Sequence, residues 1–311
     1  MQSVDYRVRV GLLVAATVAA TMPASATPPG YSVRPQVVII SIDGLRPDVL
    51  SESMTPTILG IARRGASTLR AETVTPSETT PSHASMLSGY LPKTHRITWD
   101  GWQPEKGMIT VPTLLSVARQ AGFQTVMVVG KHKLLHIAPE GGKFLSMPSN
   151  DDAVVNEAMV WAGTGFDVLF VHLPEVDLVG HAKGWMSADY MARVAATDRA
   201  VARLLPAIPF SATIIITGDH GGVSFDHGAD RTENMRIPWI ITGPGIVGGK
   251  AITSAVKTMD TAATAARILG LILPADIAGK PVVEALAPTT TYYPDVLSDP
   301  RDDQTNYYLS R

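Results

Sequence analysis

The chain has 311 residues, 45% of them hydrophobic, with 26 basic and 28 acidic side chains and a formal net charge of −2. That length suits one large α/β domain or two small ones, and that hydrophobic content supports a real core. So small a net charge excludes a global field that steers nucleic acid or acidic membranes, and the absence of cysteine excludes disulfides and thiolate metal ligands. An anion site must then draw its positive charge locally, from metals, Lys, Arg or helix ends. A metal must be held by Asp, Glu, His or a hydroxyl.

Arg7 and Arg9 precede a short apolar run, Val10 to Thr21, and an A-x-A site at Ala24-Ser25-Ala26. These features read as a secretory signal over 1–26, removed to leave a mature chain starting near Thr27. The apolar run is too short to span a bilayer, and no later stretch qualifies. The mature protein is therefore expected to be periplasmic or secreted, with no membrane anchor.

After a Pro-rich lead-in, Val38-Ile39-Ile40-Ser41-Ile42 stops on Asp43-Gly44. This is the pattern of a buried parallel strand whose carboxyl end holds something charged. Pro56 opens a helix with an apolar face of Ile58, Leu59, Ile61 and Ala62, closed at Gly65. Thr68 to Thr75 reads as a strand, Pro76 to Pro81 as a loop, and the stretch from Ser82 as a helix. A hydroxyl at that helix start, Thr79 or Ser82, is either an ordinary N-cap or a group placed where the helix favours an anion. Helices are expected over Thr113–Ala121, Asp152–Trp161, Met186–Leu205 and Met259–Leu271. Strands are expected over Gln124–Val129, Asp167–His172, Ala212–Thr217 and Pro238–Thr242. Strands and helices alternate with no repeat and no composition break, so the mature chain, 27–311, reads as one domain of the α/β class. Its sheet is doubly wound, mostly parallel and flanked by helices. The tail from Pro288 reads as a polar surface extension.

Ligands in such sheets sit outside the carboxyl ends of the strands. The strand ends and following loops offer Asp43, Thr79, Asp177, His181, Asp219, His220 and His227. Each of these alone is most simply a capped or hydrogen-bonded structural residue. Together they are three carboxylates at one sheet edge, costly to bury unless paired or metal-bound, accompanied by three histidines. That donor mix suits Zn²⁺ or Mn²⁺. Seven groups are too many for one tetrahedral ion and suit two divalent ions. Two metals roughly 3.5–4 Å apart clamp the attacking and leaving oxygens of a displacement at phosphorus.

Five segments resemble, in order, the alkaline phosphatase superfamily and within it the nucleotide pyrophosphatase/phosphodiesterase branch: VVIISIDGLRPDVL, TTPSHASMLSGYLPKTHRI, EVDLVGHAKG, ITGDHGG and DHGADRTENMRIPWIITGPGI. The resemblance runs from Val37 to about Val283 and implies an alkaline-phosphatase-like fold. It implies that Asp43, Asp219, His220 and the Thr79 oxygen hold one zinc, and that Asp177, His181 and His227 hold the other. Thr79 is then the nucleophile and forms a phosphothreonine intermediate. The implied substrate is a small phosphoester, a phosphodiester or pyrophosphate of nucleotide type; no nucleic-acid-binding surface is evident. Sulfatases carry a modified cysteine where Thr79 stands, and this chain has neither Cys nor Ser there.

Two departures qualify that resemblance. The branch's phosphate-binding Asn falls at Asp100, where a carboxylate repels a phosphoryl group unless it is protonated or turned away. Lys131, Lys133, Arg96 or the backbone N–H of Thr80 are the substitutes within reach. A lysine in that role favours a phosphomonoesterase, and lost activity at Asp100 leaves a non-catalytic zinc-binding relative. Only six residues separate His220 from His227, where the branch carries a long insertion. An open site is therefore expected.

Overall fold

The computed structural model describes residues 34–288. The signal read over 1–26 and the polar tail beyond residue 288 lie outside the described residues. No described helix is long and apolar enough to cross a membrane. The elements run β1 (Gln36–Ile42), α1 (Pro56–Arg64), β2 (Ala66–Glu72), α2 (Thr79–Ser88), α3 (Pro92–His95), α4 (Leu114–Gln120), β3 (Thr125–Val129), β4 (Lys143–Ser146), α5 (Asp151–Thr164), β5 (Val168–Leu173), α6 (Glu175–Lys183), α7 (Ala188–Leu204), β6 (Ala212–Gly218), α8 (Thr232–Met235), β7 (Arg236–Thr242), β8 (Lys250–Ala251) and α9 (Asp260–Leu269).

One eight-stranded sheet has the order β4-β3-β5-β1-β6-β7-β2-β8. From β4 to β6 every pair is parallel, and β7 is antiparallel to both β6 and β2. This is the doubly wound, mostly parallel α/β sheet expected from the alternation of elements. The central strands are buried on both faces, so they carry near-continuous apolar runs rather than alternating ones. Along β1, Val37 and Ile39 enter one layer with α2, α4 and α9, while Val38, Ile40 and Ile42 enter the other with α1, α5 and α7.

Register positions the site. Ile42 lies opposite Leu173 of β5 and Gly218 of β6, so Asp43 and Asp219 leave the sheet side by side. Val129 of β3 lies opposite His172, which brings Lys131 to the same rim. Four parallel strands thus deliver their following residues to one edge.

Three details differ from the sequence reading. The helix expected from Ser82 begins at Thr79. The stretch after β5 is helical, as α6; Pro174 before it and Gly180 within it mask the pattern. Between the strand ending at Val129 and the helix from Asp152, where the sequence marks no element, lie a 3₁₀ turn, His132–Ile137, and the edge strand β4.

Candidate metal centre

Close backbone approach builds the floor. Gly44 has φ +72, and a Cβ there would stand 2.9 Å from the Asp177 Cα. Only glycine allows that turn and that approach together. Trp185 then ties three segments: its Nε1 donates to the Gly44 carbonyl at 3.0 Å, and its ring fills the space a Cβ on Gly222 would enter at 2.2 Å. It also lies edge-on to the His181 ring at 5.0 Å. The end of β1, the end of α6 and the loop after β6 are held together by this one side chain.

Each of the three aspartates splits its two oxygens between a fixed donor and the centre. Asp43 Oδ2 accepts from His172 Nε2 at 2.8 Å and from Lys131 Nζ at 2.7 Å, leaving Oδ1 3.3 Å from His220 Nε2. Asp219 Oδ1 accepts from the N–H groups of Gly44 and His220, leaving Oδ2 3.4 Å from His220 Nε2. Asp177 Oδ2 accepts from Lys131 Nζ, leaving Oδ1 3.4 Å from His181 Nε2 and 3.6 Å from His227 Nε2. Asp177 Oδ1 and Asp219 Oδ2 are buried without any hydrogen-bond partner.

The histidines complete the pattern. Nδ1 of His220, His181 and His227 faces the backbone carbonyl of Gly221, Phe225 and Ser77 respectively, at 2.8–3.0 Å. A carbonyl only accepts, so each Nδ1 carries a proton, and in the neutral ring Nε2 is the atom left to present a lone pair toward the carboxylates. At 3.3–3.6 Å those nitrogens and carboxylate oxygens repel unless a proton or a metal ion lies among them. Backbone carbonyls on the outer nitrogen also orient metal-ligating histidines. The donor set fits divalent ions.

The groups fall into two sets whose ligand atoms lie within 4.8 Å of one another: Asp43, Asp219 and His220; and Asp177, His220 and His227. His220 is common to both and stacks on His227 at 3.9 Å. His181 stands outside the tight sets but beside Asp177, one helical turn along α6, where i and i+4 share a face. Burial and the Asp43 charge push Asp219 up to about 8. Burial lowers His220, but the Asp219 and Asp43 carboxylates outweigh it and raise it to about 10. Burial and the neighbouring His220 hold His227 down to about 4.

Thr79, the first residue of α2, makes no capping bond; its hydroxyl lies 3.4 Å from Asp43 Oδ1 and from His220 Nε2, and 3.5 Å from Lys131 Nζ. Ser82 instead ties the helix down, its Oγ donating to the Asp219 carbonyl at 2.7 Å. Openness, expected from the short 220–227 connection, does not hold at the threonine: Thr79 is fully buried, because Asp43 and Asp177 draw the Lys131 ammonium into the space beside it. Exposure rises only toward His181, whose side chain is 41% accessible.

Asp100 is turned away from the centre. Its Oδ1 accepts from the backbone N–H of Thr80 at 2.8 Å and from the Thr80 hydroxyl, and its Oδ2 from Lys133 Nζ at 2.6 Å. Burial alone raises its pKa, but Lys133 and the Thr80 N–H outweigh that and keep it below the usual carboxylate range. The Thr80 N–H, expected as a donor to substrate, is therefore already occupied. Arg96 closes α3 in the left-handed region at φ 64.

Two buried histidines beside the centre escaped the sequence reading, His172 in β5 and His83 in α2. His83 Nδ1 faces the Thr79 carbonyl at 2.7 Å and its Nε2 the Ser41 hydroxyl at 2.8 Å. Their signal was available: a histidine inside an otherwise apolar strand or helix, with no solvent to satisfy it.

Fold and sequence together place the chain in the alkaline-phosphatase-like superfamily. Within it, residues 37–115 match the model for type I phosphodiesterase / nucleotide pyrophosphatase, and residues 120–273 the metalloenzyme superfamily model. The catalytic subunit of human GPI ethanolamine phosphate transferase 2 is 27% identical over 290 residues, 83% of this chain and 28% of that protein. The chain thus spans under a third of that relative's length. A murine ectonucleotide pyrophosphatase/phosphodiesterase 5, in an inactive Thr-to-Ala form bound to AMP, superposes with TM-score 0.67 at 13% identity. The match covers 77% of this chain and 96% of that one. A 2-O GAG sulfatase gives TM-score 0.67 at 18% identity over 80% and 73%.

Proposed function

We propose that the protein is a metal-dependent phosphoester hydrolase, with Thr79 as nucleophile and two divalent ions, zinc by preference, held by Asp43, Asp219 and His220 and by Asp177, His181 and His227. The observation that carries this is the convergence of three carboxylate oxygens on three imidazole Nε2 atoms beside a buried, uncapped hydroxyl. Thr79 Oγ1 attacks phosphorus as the bond to the ester oxygen breaks; the hydroxyl proton passes to solvent, and the leaving oxygen takes one up and departs as an alcohol, or as a phosphate from a pyrophosphate. Water then cleaves the phosphothreonine and restores the hydroxyl. Bound divalent ions supply the charge that lowers the pKa of hydroxyl and water. Lys131, whose ammonium two buried carboxylates keep protonated, supplies further positive charge 3.5 Å from Thr79 Oγ1.

Phosphodiesters or pyrophosphates of nucleotide type are the first reading of the substrate. The type I phosphodiesterase match and the AMP-bound, threonine-dependent structural relative support it. The leader read over 1–26 makes the enzyme periplasmic or secreted. A monoesterase is the second reading, favoured by Lys131 beside Thr79 and Lys133 beyond it, since three free phosphoryl oxygens call for more cationic donors. Steady-state kinetics on bis-p-nitrophenyl phosphate and p-nitrophenyl phosphate, with and without chelator, distinguish them. A higher kcat/KM for the diester is expected, and a higher value for the monoester overturns the first reading. Thr79→Ala is expected to retain its metals and lose turnover at least about a thousandfold. Unchanged turnover with metals bound removes Thr79 from the mechanism.

A further inference from the structure

His172 has the reverse chemistry of the three histidines that face the centre. Its Nδ1 lies 3.3 Å from the backbone N–H of Gly130, a group that only donates and that it shares with the His172 carbonyl at 3.2 Å. Its Nε2 lies 2.8 Å from Asp43 Oδ2, an atom that only accepts. Both ends require the same tautomer, with the proton on Nε2 and the lone pair on Nδ1. The ring is fully buried and held by register: His172 pairs with Ser41 in β1, two residues before Asp43, and with Val129 in β3, one residue before Gly130. It is edge-on to His83 at 5.0 Å. His172 is therefore a fixed N–H donor aimed at one oxygen of one aspartate.

We infer that His172 is a positioning residue that decides which oxygen of Asp43 serves as the metal ligand. With Oδ2 taken by the His172 N–H and the Lys131 ammonium, Oδ1 alone faces His220 and the Thr79 hydroxyl. An aspartate with two free oxygens rotates about χ2 and offers either one or both; the His172 bond removes that freedom before an ion arrives. Outer donors to ligating groups are typically worth about 10–100-fold in metal affinity. The effect belongs to the Asp43, Asp219 and His220 set, because the His172 N–H bonds to Asp43 and not to Asp177 or His227.

This inference rests on the two-metal reading, and its test separates the two. Apo protein is titrated with Zn²⁺ against a chromophoric chelator for the wild type, His172→Phe and His172→Gln, with apo Tm measured for each. Phe fills the ring's volume and donates nothing, while the Gln side-chain amide reaches the Nε2 position and restores an N–H. Two zinc ions are expected for the wild type. His172→Phe is expected to bind one of them about 10–100-fold more weakly and the other unchanged, and His172→Gln to recover most of that loss. A purely structural role would lower apo Tm in both variants without telling Phe from Gln. Wild-type affinities at both sites in His172→Phe overturn the inference and leave the two-metal reading standing, as does a His172→Gln no tighter than Phe. A wild type that binds no zinc overturns the metal reading itself, and the inference with it.

Discussion

At Asp100 the carboxylate sits where a related site would present an amide to substrate, yet it spends both oxygens on Thr80 and Lys133. Its negative charge still lies at the rim and cancels the nearest lysine. Asp100→Asn keeps an oxygen for the Thr80 N–H and removes that charge, so Lys133 is freed toward the anion. KM for an anionic phosphoester is expected to fall about tenfold, equivalent to about 1.4 kcal/mol, with kcat little changed. Steady-state kinetics check it, and an unchanged KM shows that Lys133 does not reach substrate. From its own neighbours along the chain Thr79 was legible only as cap or anion site, and it was the family resemblance that made it the nucleophile. The choice depends on what stands across from its hydroxyl, and those groups come from residues 43, 131 and 220.

Helix α6 carries Asp177 and His181, so its placement sets half of the centre. A buried polar joint fixes its first turn against that of α5. Asp151 Oδ1 accepts from the Glu175 N–H at 3.1 Å, Glu175 Oε2 accepts from the Asp151 N–H at 2.9 Å, and Thr197 and Arg193 of α7 donate to the two carboxylates. Burial pushes Asp151 up to about 6, partly offset by the Thr197 hydroxyl. Its folded pKa therefore lies above its unfolded value of about 3.9, and the folded state holds the proton more tightly. The resulting stabilisation is complete below about pH 4 and is lost as pH rises through 6. Wild type is expected to gain about 2–3 kcal/mol on Asp151→Asn between pH 8 and pH 4. Urea unfolding of both proteins at the two values measures it, and a pH-independent difference means that Asp151 stays ionised. This joint was invisible in the sequence, where Pro174 and Gly180 hid the helix that it anchors.

Across the whole molecule, three fully or almost fully buried aspartates share one rim with a single lysine between two of them. Two buried aspartate oxygens have no hydrogen-bond partner, and the raised Asp219 and His220 mean that the metal-free cluster balances its carboxylates with protons that divalent ions would displace. Ions that bind only the folded state stabilise it by mass action, about 4 kcal/mol at a thousandfold excess over Kd. For a domain of this size that corresponds to roughly 10 °C in Tm. Chelation is expected to lower Tm by about that much and zinc to restore it, followed by circular dichroism. An unmoved Tm means that the protein's own groups balance the carboxylates.

What the sequence by itself determined is the set of strands and the chemistry at their tips. Long β-branched runs such as Val37–Ile42 and Ala212–Thr217 are buried on both faces wherever they sit, and an acid that ends such a run has to be compensated. Those are local properties, readable from neighbours along the chain. Tertiary structure alone decided the pairing of the tips. Only the order β3-β5-β1-β6 brings Lys131, His172, Asp43 and Asp219 together, and that order is set by how helices cover both faces of the sheet. The same packing chose between the two oxygens of each aspartate and the two nitrogens of each histidine. Most of those choices are made by partners more than forty residues away in the chain, such as His172 for Asp43 and Ser77 for His227, where no local pattern encodes them; at Asp219 and His220 the adjoining backbone also takes part.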